Sequence, residues 1–153
     1  MNRRGVLGLL AVASAALPPL VKTARAENAP ASGYRLEIQV DSDDRAIMNL
    51  ALANARNALD YYNERGEKLA VEFVTYGPGL TMLRADTSPV KDRITAFRKS
   101  LPAVVFSACN NTKTAAEKTE GKEIVLVAEA TLVPAGVVRL MELQEQGWSY
   151  LRP

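Results

Sequence analysis

Chemistry in this sequence has to start from one thiol. Cys109 is the single cysteine among 153 residues, and there is no histidine. Without imidazole, a Ser-His-Asp triad, a Cys-His dyad and any zinc or haem site built on histidine are excluded. One cysteine forms neither an internal disulfide nor a thiolate metal cluster. No paired-carboxylate motif stands out, which leaves a conventional hydrolase without a basis. Cys109 leaves the apolar run Ala103–Ala108 and enters Asn110-Asn111-Thr112. A free cysteine ordinarily packs as a small hydrophobe. Here the run turns polar directly after the sulfur, the backbone is expected to turn toward solvent, and a helix start just beyond would stabilise a thiolate.

Two other segments carry glycine where a strand should end, Tyr76-Gly77-Pro78-Gly79 and Pro134-Ala135-Gly136. Glycine permits close backbone approach, and helix amino ends favour anions. The candidate site is therefore Cys109 as nucleophile, with Gly77, Gly79, Asn110, Asn111, Thr112 and Gly136 as binding residues. Gly77-Pro78-Gly79 lacks the third glycine of a dinucleotide fingerprint and reads first as a tight turn. Asp41, Asp43 and Asp44 lack the glycine and distal glutamate of a calcium loop and fit helix capping better. Asn54 and Asn57 read as helix-surface amides. No metal and no cofactor are expected.

The elements that must position these residues alternate. Tyr34–Val40 has period-two apolar residues and reads as a strand. A helix follows from about Arg45 to Asn63, with Ile47, Leu50, Ala51, Ala55, Ala58, Leu59 and Tyr62 along one side. Leu69–Tyr76 is a second strand. Ser88-Pro89 opens a helix, serine as N-cap and proline at the first position, with Val90, Ile94, Phe97 and Leu101 as its buried stripe. Ala103–Ala108 is a strand buried on both faces. Thr112–Thr119 is helical, Ile124–Val133 holds a fourth strand, and a helix runs from Pro134-Ala135-Gly136 to Gln146, stopped by Gly147. Trp148–Leu151 closes the chain as a short strand. This alternation predicts an α/β domain over residues 34–153: a mostly parallel sheet of about five strands with helices on both faces. Ligands in such sheets bind beyond the carboxyl ends of the strands, where the three loops converge.

Residues 1–26 stand apart. Arg3 and Arg4 precede an apolar run from Gly5 to Leu17, and Thr23-Ala24-Arg25-Ala26 offers a small-x-small cleavage site. This is the pattern of an export signal; an uncleaved short anchor is the alternative, although the run falls below the roughly 20 residues a membrane span needs. The arginine pair resembles a twin-arginine signal, with a general secretory signal as the other reading. Either gives the same address, a bacterial periplasm or the cell exterior, with the periplasm the one expected here. Residues 27–33 read as a linker. The leader carries four basic and no acidic groups, so the remainder has 15 basic and 17 acidic residues, net −2. No basic cluster remains for nucleic acid, and no membrane contact is expected after cleavage.

Ala103-Val104-Val105-Phe106-Ser107-Ala108-Cys109-Asn110-Asn111-Thr112 resembles the strand–Cys–Asn–Thr element of the DsrE/DsrF-like proteins. The resemblance continues through Asn54-Ala55-Arg56-Asn57, Tyr76-Gly77-Pro78-Gly79, Val133-Pro134-Ala135-Gly136-Val137 and the ending Leu143–Pro153. It implies a Rossmann-like fold, trimers or hexamers, and a place in sulfur handling. The strand-end cysteine that carries a persulfide in sulfur-relay members matches Cys109. The export signal departs from those members. Two functions stay open: a sulfur carrier or sulfurtransferase-like relay protein with donor and acceptor protein partners, or a non-catalytic oligomeric module that binds a small anion or a partner.

Overall fold

The computed structural model describes residues 33–153; the segment read as an export signal, and the expected linker as far as residue 32, lie outside the described residues. Five strands and four α-helices alternate: β1 Tyr34–Val40, α1 Arg45–Glu64, β2 Leu69–Thr75, α2 Lys91–Ser100, β3 Val105–Cys109, α3 Asn110–Glu120, β4 Ala130–Val133, α4 Gly136–Glu145 and β5 Ser149–Leu151. A 3₁₀ segment, Gly77–Leu83, follows β2. All neighbouring strands pair in parallel, in the order β4-β3-β2-β1-β5. This is the expected α/β, Rossmann-like sheet.

The order follows from handedness. Strands β1 to β4 advance in one direction across the sheet, so right-handed crossovers put α1 and α2 on one face. The connection from β4 to β5 returns across the sheet and carries α4 over the other face, where it packs on β1, β2 and β3. On the first face Ile38, Val40, Val71, Phe73, Phe106 and Ala108 meet Met48, Ala51, Leu52 and Ala55 of α1 and Ile94 and Phe97 of α2. The rings of Phe73 and Phe106 stack at 4.8 Å between centroids, and Phe97 sits edge-on to both. The second face is different in kind. Its apolar cluster is only Val74, Leu140 and Leu143, flanked by Tyr76 and Trp148. Around it Glu37, Gln39, Glu72 and Ser107 are buried.

Local chemistry sets most boundaries. Asp44 caps α1 by accepting from the Ala46 N–H at 2.7 Å. Gly147, with φ +81°, follows the Gln146 cap of α4. Four expectations shift. The buried stripe of α1 is Met48, Ala51, Leu52 and Ala55, an i, i+3, i+4, i+7 set, whereas Leu50 is 46% exposed. Helix α2 begins at Lys91 with Val90 as its cap; the Ser88 hydroxyl donates to the Met82 carbonyl at 2.5 Å and accepts only a long 3.4 Å bond from the Val90 N–H. Strand β3 begins at Val105 rather than Ala103, since Val104 N–H closes a turn onto Leu101. Helix α3 begins two residues earlier than expected, with Cys109 itself as N-cap.

Candidate functional site at the carboxyl edge of β3

Helix α3 contacts the 3₁₀ segment and so departs toward the α1–α2 side, whereas α4 departs over the opposite face. The helices that follow the neighbouring strands β3 and β4 therefore diverge, which is the condition for a crevice at the strand ends. Cys109 sits at that point. It is the last residue of β3, pairs in register with Val133 of β4, and is 4% exposed.

The sulfur is surrounded by donors. The Thr112 N–H donates to Sγ at 3.4 Å. The three expected loops are tied together around it: Gly77 N–H donates to the Thr112 hydroxyl at 3.0 Å, and Asn111 N–H donates to the Pro134 carbonyl at 3.3 Å. Burial by itself pushes the thiol up. The Thr112 hydroxyl and the backbone N–H groups of Thr112, Gly136 and Asn111 outweigh it and hold the thiol below its ordinary value. The Thr112 hydroxyl accepts from Gly77, which leaves its own proton free for the sulfur.

Not every candidate takes the role expected of it. The Gly77 N–H reaches Thr112 rather than the sulfur, and its φ of +53° explains the glycine. Gly79 N–H is bonded to the Tyr76 carbonyl at 3.1 Å, and a Cβ there would stand 2.0 Å from the Val40 carbonyl oxygen. Gly79 thus lets the 3₁₀ segment cross the end of β1 and donates nothing to the site. Gly136 is buried, opens α4 and backs onto the Tyr76 side chain. Asn110 and Asn111 are exposed in the first turn of α3, and Asn111 contributes through its backbone. The thiol is buried rather than turned to solvent, because α3 and α4 both begin over it.

Several residues beside the site escaped the sequence reading. Ser107, two residues before the cysteine on the same strand face, donates to Glu72 at 2.6 Å. Glu72 is gripped by Arg139 of α4 through two bonds of 2.7 Å. Glu37, opposite Glu72 in the β1–β2 register, is fully buried and neither carboxylate oxygen finds a hydrogen-bond partner. Burial raises its pKa to about 7; Gln144 and Arg139 pull it down and Glu72 pushes it further up. At the neighbouring strand ends, Arg152 pairs with Asp41 at 2.9 Å and the Tyr150 hydroxyl donates to Gln39 at 2.7 Å. Ser107 was visible as the polar interruption of an apolar run, and so was Glu72, between Val71 and Phe73; Glu37 shares the polar phase of β1 with Arg35 and Gln39.

A groove of about 780 Å³ lies at the opposite edge of the sheet, between the start of β2 and the turn before β3, lined by Leu59, Leu69, Leu101 and Val104. It does not include Cys109 in its lining. Among the described residues no cluster of three or more His, Cys, Asp or Glu side chains could hold a metal ion, and no helix is long and apolar enough to cross a membrane.

No protein-family model matches the chain, and no curated protein matches it. Among solved structures it is similar to that of MTH1491 from Methanobacterium thermoautotrophicum, a protein of unknown function. The two share 30% sequence identity and a TM-score of 0.68, and the match covers 78% of this chain and 99% of the other.

Proposed function

We propose, for a chain that belongs to the same family as the MTH1491 protein of Methanobacterium thermoautotrophicum, that Cys109 is a nucleophilic thiolate and transient sulfur carrier in a sulfurtransferase-like relay. The observation that carries this reading is the set of donors around the sole thiol: Thr112, Asn111 and Gly136 favour its anionic form without any histidine. The DsrE/DsrF-like pattern around the strand-end cysteine supports the same role. The thiolate attacks the sulfane sulfur of a donor such as thiosulfate. A new S–S bond forms, the donor's S–S bond breaks, and sulfite leaves with the electron pair. The product is a persulfide anion on Cys109, held by the same N–H groups, which an acceptor thiol then takes up.

The leader pattern places this carrier in the periplasm, and N-terminal sequencing of the fractionated protein should give a start near Glu27. Mass spectrometry after incubation with thiosulfate tests the carrier role. One added sulfur atom on the intact chain, absent from Cys109→Ser, is expected; an unchanged mass overturns it. The 4% exposure of Cys109 favours one alternative: a non-catalytic oligomeric module in which the same N–H groups hold a small anion. Anion binding that survives in Cys109→Ser, without sulfur loading of the wild type, would select it.

A further inference from the structure

We propose that Glu72, Arg139 and Ser107 position the amino end of α4 against the Cys109 sulfur; the inference rests on the reading of Cys109 as a thiolate. Helix α4 starts without a side-chain cap on Ala135 and without an acidic residue in its first turn. The Gly136 N–H is thus left for the sulfur, and the packing beside it is Gly136 against the Tyr76 side chain. The apolar anchors of α4, Leu140 and Leu143, lie toward its carboxyl half. In the first turn the anchor is ionic. Arg139, whose N–H closes that turn onto the Ala135 carbonyl at 3.0 Å, clamps Glu72 with two parallel bonds. Glu72 is 2% exposed and accepts a third bond from Ser107, which stands on the same face of β3 as Cys109. A fork-to-fork pair fixes orientation as well as distance. The chain Cys109–Ser107–Glu72–Arg139–Gly136 therefore closes on itself, and moving the guanidinium moves the Gly136 N–H. Two other carboxylates face Arg139: Glu142 at 3.4 Å on α4, and buried Glu37 across β1.

The test uses the full chain, in which iodoacetamide alkylation reads one thiol only. The rate is followed against pH for the wild type, Glu72→Gln and Arg139→Lys, with circular dichroism confirming the fold. Direct electrostatics and positioning make opposite forecasts for Glu72→Gln. Removing a nearby negative charge would lower the thiol midpoint. Releasing α4 should raise it, by about half a pH unit, with a roughly threefold slower rate at pH 7. Arg139→Lys keeps the charge, loses the fork and should shift the midpoint in the same direction; it decides the matter if Glu72→Gln does not fold. A wild-type midpoint below that of a free peptide cysteine together with unshifted or lowered variants would overturn the positioning role and leave the carrier reading standing. A wild-type midpoint at the free value would remove both.

Discussion

At the sulfur, two effects oppose each other. Burial disfavours the anion, and donors from two helix starts favour it; the donors win. Thr112 contributes twice, through its N–H and its hydroxyl. Thr112→Val should raise the alkylation midpoint of Cys109 by about one pH unit, since a hydrogen bond to a charged group contributes on the order of 1.5 kcal/mol. A pH-resolved alkylation curve superimposable on the wild type would contradict this. Glu37 presents the opposite case, in which burial and the charge of Glu72 outweigh the downward pull of Gln144 and Arg139. The Glu37 carboxyl is pushed from the ordinary 4.5 up to about 7 in the folded chain. The folded state therefore holds the proton more tightly, and the stability tied to the neutral carboxyl is fully present below about pH 4.5 and lost as pH rises through 7. The cost above pH 7 is about 3 kcal/mol. Denaturant unfolding of the wild type should weaken between pH 5 and pH 8, and Glu37→Gln should flatten that slope. Equal slopes in the two proteins would refute the assignment.

Elements meet at the site because backbone, rather than side chains, makes the close approaches. The 3₁₀ segment after β2 can cross the end of β1 only where no Cβ intervenes. At Gly79 an added methyl would meet three backbone atoms, Val40 O at 2.0 Å, Val40 C at 2.5 Å and Asp41 N at 2.8 Å. Backbone cannot step aside as a flexible side chain does. Gly79→Ala should therefore cost about 3 kcal/mol in denaturant unfolding and loosen the Gly77–Thr112 bond that depends on this crossing. Gly77 is unlike it: nothing lies within 4 Å of an added Cβ, and only its φ of +53° demands glycine. Helix α3 rests on the site by its amino end and is tied at the other by Arg84, which binds Glu120 and Asp86, the Asp86 pair spanning 2.8 Å.

Across the whole molecule, α4 divides its apolar residues between two directions. Leu140 and Leu143 face the sheet, while Val137, Val138 and Met141 are 57%, 48% and 57% exposed. An apolar face turned outward on a helix that also starts the site is the feature behind the proposal of a homo-oligomer, a trimer or hexamer as the DsrE/DsrF-like resemblance implies. Light scattering at micromolar concentration should show the oligomer, and Met141→Glu should convert it to monomer with the fold retained. A wild type that is monomeric in that measurement would end the proposal.

Sequence alone determined the order of the elements, the strand ends and the meeting of three loops at Cys109. Those features are written locally, in the period of β1, the Asp44 cap of α1, the glycines at 77, 136 and 147, and the apolar run of β3 that ends at the sulfur. The tertiary structure decided what each sheet face buries. Glu37 shares a phase of β1 with Arg35 and Gln39, which local pattern assigns to solvent, and Glu72 is a lone charge in the otherwise apolar β2. They are buried because α4 returns over them from β4, a crossover whose face is set by handedness and strand order over the whole sheet. The same crossover brings Arg139 to Glu72 and Gly136 to Cys109, residues 67 and 27 positions apart in the chain. It also covers the thiol, whose exposure the turn chemistry of Asn110-Asn111-Thr112 had overstated.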